Sequence, residues 1–227
     1  MNFHFFISNL VEPISYGLCF LSLLFLVRVA NKVKWKVLIA YYFVATLLMV
    51  KAAYVVPNIE IYSLLSLLTF ASLGFYFYST FFSSWKKWVT AFFCLLAAGY
   101  YITYNFIFTR PQVFDSTAFV ILSVGIVLMA FMYMHQLLTN VTEDPLLLNF
   151  DFWFVSAQLI YYLGSFFIFL TYGYLTQKIL SSNLYSYENR IYLSQLWRVH
   201  NVLLFLTSLI TSVGIVWISF LRKSRSL

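Results

Sequence analysis

Charge is scarce in this sequence: Asp, Glu, Lys and Arg together make up 9% of 227 residues, against about 25% in a soluble domain. So little charge cannot cover a water-facing surface, and a water-soluble fold is excluded. Only two cysteines are present. Cys19 and Cys94 both fall inside apolar runs, away from the loops where an oxidising compartment could join them, so they read as small buried apolar residues and not as a disulfide. Proline occurs four times, and only Pro13 falls inside an apolar run, near its end. Helices broken at mid-membrane, the usual setting of a transporter's substrate site, are therefore not expected. GxSxG, P-loop, CxxC and HExxH patterns are missing, as is any cluster of carboxylates. These absences speak against an enzyme, and no metal or other cofactor is implied. His4, His135 and His200 lie far apart in sequence and read as interfacial residues.

What is abundant is apolar and aromatic: 63% of the chain is hydrophobic, with 26 Phe and 18 Tyr. Seven runs have the length of about 20 residues that a membrane helix needs. They are Ile7–Val27, Val37–Val56, Ile61–Phe82, Val89–Phe108, Thr117–Leu137, Phe152–Leu175 and Val199–Leu221. The expected fold is all-α, a polytopic seven-transmembrane-helix bundle forming one domain over residues 1–227. Seven spans and their loops leave no residues for a separate soluble domain. The first run has no basic segment before it, whereas Arg28, Lys32, Lys34 and Lys36 follow it, so it reads as a retained span and not a signal peptide.

The net charge of +7 would point to nucleic acid in a soluble protein. Here the basic residues report orientation, and no nucleic-acid partner is expected. One set of connecting segments holds Arg28, Lys32, Lys34, Lys36, Lys86, Lys87, Arg222, Lys223 and Arg225, while the other holds Arg110, Lys178, Arg190 and Arg198. Nine against four puts the N-terminus outside and the C-terminus in the cytoplasm. Trp35, Trp85, Trp88, Trp153, Trp197 and Trp217 stand at run ends, where amphipathic rings anchor to headgroups.

An ionisable side chain inside a span costs about 2.5–3.5 kcal/mol even on insertion scales, so Glu12 and Lys51 are candidates for ligand binding or gating. Each lies roughly 21–23 Å from the inner boundary at about 1.5 Å per residue, so their depths match and they could pair across the first two helices. Alternatively Glu12 caps a helix beginning at Pro13, and Lys51 snorkels outward. A lysine also suggests a retinal Schiff base, but the seventh run, where such proteins carry it, has none. Polar residues recur on one face of three runs: Tyr62, Ser66, Thr69, Tyr76 and Thr80; Gln158, Tyr161, Ser165 and Tyr172; Asn201, Ser208, Ser212 and Ser219. These stripes should face the bundle interior, either as close packing with interhelical hydrogen bonds or as the wall of a hydrated site. Gln158, Tyr161 and Asn201 join Glu12 and Lys51 as candidate ligand contacts.

Two connections are longer than the rest. The outer one, Thr176–Arg198, carries Tyr185, Tyr187, Tyr192 and Trp197 and reads as a short helix or lid on the membrane surface. The inner one, Leu138–Asp151, is acidic through Glu143, Asp144 and Asp151. It is either a solvated connector or, through Glu143 and Asp144, a contact for a basic partner. Asn140-Val141-Thr142 matches a glycosylation sequon by chance, given its inner location. Pro111-Gln112 resembles the dipeptide of PQ-loop and SWEET-like transporters, in a single copy within an outer loop.

Asp144-Pro145-Leu146, Phe152-Trp153, Gln158-Leu159-Ile160-Tyr161-Tyr162 and Gly164-Ser165-Phe166-Phe167 resemble small seven-helix membrane proteins of Bacteroidetes-type bacteria, which are similar to the membrane portions of sensor histidine kinases. The resemblance covers about 25 residues. It implies a detached sensing or accessory subunit whose partners are the lipid bilayer and a separate sensor kinase or other output protein. The inner connections are too short to house an output enzyme, so any signal is expected to leave through another protein. A small solute transporter or permease is the alternative function, and a structural or assembly factor is a third.

Overall fold

In a chain so rich in Leu, Phe, Tyr and Ile, backbone amides removed from water must bond within their own segment, and the α-helix does this. The computed structural model describes residues 10–27, 32–54, 58–104, 114–140, 145–182 and 187–225. Among them are seven α-helices: α1 (Val11–Val27), α2 (Val33–Tyr54), α3 (Ile59–Thr80), α4 (Ser84–Ile102), α5 (Ser116–Thr139), α6 (Phe150–Ser182) and α7 (Tyr187–Arg225). A 3-10 turn, Leu146–Leu148, precedes α6. Five of the helices, α2, α3, α5, α6 and α7, are long and apolar enough to cross a membrane. Exposed Leu21, Phe25, Leu47, Leu95, Phe167 and Phe220 give the bundle a lipid-compatible exterior, that of a helical membrane protein.

Pro13 sits in the first turn of α1, where its missing N–H costs no helical bond. Asp115 caps α5, its side chain accepting from the Ala118 amide at 3.1 Å. Sequential helices pack on one another, and α7 returns against α1 to close the bundle. Because α3 also meets α5 directly, α4 is left at the periphery, where it buries only Lys86, Thr90 and Ala97.

The polar stripes turn inward. Ser66, Thr69, Tyr76, Thr80, Gln158, Tyr161, Ser165, Asn201 and Ser208 are all buried. Many hydroxyls bond a carbonyl of the preceding turn, as Thr69 does to Leu65 and Thr80 to Tyr76, each at 2.7 Å. Others bridge helices: Ser22 to Ser212 at 2.7 Å joins α1 to α7, Tyr41 to Thr69 at 2.9 Å joins α2 to α3, and Gln158 to Tyr42 at 3.3 Å joins α6 to α2. Cys19 in α1 and Cys94 in α4 are free thiols.

Several expectations need correction. The 33-residue α6 and 39-residue α7 are far longer than the about 20 residues a bilayer requires. Most of Thr176–Arg198 is therefore a continuation of these two helices, not a lid; Tyr185 lies outside the described residues. Trp85, Trp88 and Trp217 are exposed, as anchors should be, but Trp35 is 2% exposed and belongs to the core. Trp197 packs edge-on to Tyr62 and Phe114.

Close helix contact at α6–α7 depends on Gly214. A Cβ there would lie 2.5 Å from Trp153 Cγ and 2.7 Å from Trp153 Cβ, and Trp153 is itself held by a 3.0 Å bond from its Nε1 to the Leu147 carbonyl. Gly214→Leu should accordingly destabilise the protein by about 1–3 kcal/mol through overpacking. Unfolding in detergent checks this against Gly99→Leu, since a Cβ at Gly99 meets nothing within 4 Å.

Candidate functional site

Polar chemistry gathers at the two opposite ends of the bundle. At one end, Lys34 in the first turn of α2 and Asp151 in the first turn of α6 form an ion pair, Nζ to Oδ1 at 2.6 Å, with side chains 8% and 21% exposed. The same Oδ1 accepts from the Tyr76 hydroxyl at 2.7 Å. Lys34 also donates to Thr80 Oγ1 at 3.1 Å, so one ammonium ties α2, the end of α3 and the start of α6 together. Its Nζ also lies 5.2 Å from the Trp35 ring centroid and 5.0 Å from that of Tyr76, close enough for cation–π attraction.

Gln136 of α5 completes this arrangement. Its amide donates to the Thr80 carbonyl at 3.2 Å and its oxygen accepts from the Phe82 N–H at 3.3 Å, satisfying backbone groups that the end of α3 would otherwise leave open. Beside these residues lies a cavity of about 380 Å³, lined among others by Lys32, Lys34, Tyr133, Gln136, Asn140 and Asp151. Beneath it the rings of Trp35, Tyr76 and Phe154 pack with centroids 4.9–5.9 Å apart. Together they make a chamber of small-molecule size with polar groups in its lining and an aromatic cluster behind the Lys34–Asp151 pair.

At the other end Glu12 is 5% exposed, and its Oε2 accepts from the Tyr62 hydroxyl at 2.7 Å. Trp197 and Asn201 face the same carboxylate. Nearby, His200 meets Tyr161 Oη at 3.3 Å and Ser165 Oγ at 3.4 Å and lies 5.4 Å from the Trp197 ring. Midway between the ends, Tyr16, Tyr41, Tyr42, Gln158 and Tyr161 surround a void of about 10 Å³, room for no more than a single water molecule. A lesser polar group lies where α4 ends and α5 begins, with Tyr100 Oη donating to Asp115 Oδ1 at 2.9 Å. Burial raises the Asp115 carboxyl above the usual range, and its bonds from Ala118 and Tyr100 oppose that shift.

The structure thus brings Glu12, Tyr161 and Asn201 to one buried cluster and sets Gln158 in the middle of the bundle. Lys51 does not join them. It is exposed, and no ion pair links it to Glu12, whose hydroxyl partner comes from α3. His200 is buried in this cluster, while His135 is exposed. Glu143, Asp144, His4 and Pro111-Gln112 lie outside the described residues. Asp151 is no part of a solvated acidic connector, because Lys34 claims it inside the bundle. Among the described residues, no three His, Cys, Asp or Glu side chains are grouped to hold a metal ion.

The Lys34 assembly is what sequence reasoning missed. Both charges stand just outside the apolar runs, where lysine and aspartate read as loop residues. The available signal was their common level: each opens a helix at the same end, and Tyr76 and Thr80 close the α3 stripe there. Comparison with protein families, with curated proteins and with solved structures finds no match for this chain.

Proposed function

We propose that the chain spans a bacterial cytoplasmic membrane seven times, with its N-terminus outside and its C-terminus in the cytoplasm. In this reading it is a sensing or accessory signalling module that acts on a separate partner protein. The excess of Lys and Arg at the Lys34 end supports this orientation and makes that end cytoplasmic. The observation that carries the functional reading is the buried Lys34–Asp151 pair shared with Tyr76 and Thr80. A buried pair is either made or broken, with a penalty of several kcal/mol for leaving one charge alone, so it has the discreteness a switch requires. It joins three helices at the face a cytoplasmic partner would meet. A cue acting near Glu12 would reach it through α3, which carries both Tyr62 and Tyr76. The resemblance to sensor-kinase membrane portions supports the same reading.

The cavity at the Lys34 end favours a second reading, a small solute permease open on one side. Quantitative mass spectrometry of proteins and small molecules co-purifying with the tagged chain from native membrane separates the two. Under the signalling reading, a kinase or other output protein is enriched with the natural chain, and its recovery changes several-fold with Asp151→Asn at equal expression. A retained solute without a protein partner would favour transport. A phenotype indifferent to every buried polar substitution would favour an assembly role.

A further inference from the structure

Among the described residues, the charges around the cavity at the Lys34 end do not balance. Of the described residues lining it, Lys32, Lys34 and Asp151 are the charged side chains. Asp151 is already engaged by Lys34 at 2.6 Å and by Tyr76 at 2.7 Å, so that pair contributes no net charge. Lys32 is exposed on the rim, near enough to Lys34 for the two cations to repel, and no carboxylate among the described residues pairs with it. Among the described residues one positive charge therefore remains over a chamber of about 380 Å³, within the about 300–1,000 Å³ typical of small-molecule sites. Asn140, at the end of α5, adds amide donors to the same lining.

We propose that this cavity binds a small oxyanion carrying one negative charge, a carboxylate or a phosphodiester, seated between Lys32, Lys34 and Asn140. Such an anion neutralises the excess charge and relieves the repulsion between the two ammonium groups. Asp151 would stay on Lys34, so binding adds a second anion to the cluster without displacing the first. The same chemistry is offered by a dissolved organic acid and by a lipid headgroup at the membrane surface. Binding stands apart from the signalling reading, because an occupied site could serve a sensor, a permease or an assembly factor.

Isothermal titration of the purified full chain in uncharged detergent tests this, with four probes: lactate, glycerophosphoglycerol, dihexanoyl phosphatidylglycerol and choline. The expected result is saturable binding of at least one anion and none of choline, weakened about tenfold by Lys32→Gln and by raising the salt from low to about 1 M. Lys32 is exposed, so this variant should keep its unfolding temperature, which is measured alongside. Binding of lactate or glycerophosphoglycerol would identify a dissolved source. Binding of the short-chain lipid alone would identify a headgroup. Lack of saturable anion binding, binding unchanged in Lys32→Gln, or preference for choline would overturn the proposal.

Discussion

Asp151→Ala is expected to destabilise the protein by about 3–5 kcal/mol, the usual consequence of leaving one member of a buried ion pair uncompensated. Lys36→Ala, two residues from Lys34 on an exposed face of α2, should change stability by no more than about 0.5 kcal/mol. The difference comes from what each residue leaves behind. Without the Asp151 carboxylate, the Lys34 ammonium keeps only its 3.1 Å bond to Thr80, and the Tyr76 hydroxyl loses its acceptor. The Tyr76 hydroxyl, fully buried, cannot reach water without moving the Trp35 and Phe154 rings packed against it. Asp151→Asn should fall between the two, because an amide oxygen can still accept from Tyr76 while supplying no charge. Replacing both partners, Lys34→Met with Asp151→Leu, should recover most of the loss, since apolar side chains of similar volume often replace a buried pair at no cost. Unfolding of the natural chain and the four variants in mixed micelles measures all of this. If Asp151→Ala were as stable as Lys36→Ala, the pair would not be holding α2, α3 and α6 together.

The helices were legible because each apolar run is long and little interrupted, and their ends were less so for a physical reason. Hydropathy registers the solvent a residue prefers and is blind to backbone hydrogen bonding. The run beginning at Val37 is in fact a helix from Val33, because Lys34, Trp35 and Lys36 continue its bonding while two of them carry charge. The same effect hid the extensions of α6 and α7, whose polar residues look like loop but keep the helical ladder. Inward-facing stripes were readable because a period of 3.6 residues places Thr69, Tyr76 and Thr80 on one side of α3.

Depth along the membrane normal can be counted from sequence, but rotation about the helix axis is harder to infer. Glu12 was found because a carboxylate in an apolar run is conspicuous. Its pairing with Lys51 rested on equal depth alone, and α2 turns Lys51 outward while α3 brings Tyr62 to the carboxylate. The Lys34–Asp151 pair joins residues 117 positions apart, and no local pattern marks such a meeting. Charges that read as orientation signals hold the bundle together at this end: Lys34 is buried in the pair, and Lys86 is 6% exposed with its ammonium on the Met132 carbonyl at 3.0 Å.

Trp35 and Trp88 look alike in sequence, each beside lysines at the edge of an apolar run, and the structure gives them opposite expected costs of truncation. Trp35→Ala should destabilise by about 3–5 kcal/mol, as for other large buried side chains, whereas Trp88, 76% exposed, should tolerate alanine within about 0.5 kcal/mol. In a membrane the apolar side chain gains little by leaving lipid, so the cost at Trp35 comes from lost contacts and from the void left behind. Those contacts are specific: the Tyr76 and Phe154 rings at 5.4 and 5.9 Å and the Lys34 ammonium at 5.2 Å. Trp35→Phe keeps an aromatic face toward Lys34 with less volume, and its cost should be less than half that of alanine. Because Trp35 touches Lys34, its effect should not add to that of Asp151→Ala; the double variant should lose less than the sum, with a coupling of about 0.5–3 kcal/mol. Additive losses would mean that ring and ion pair stabilise the bundle independently, and the buried pair would then be isolated from the aromatic wall beside it.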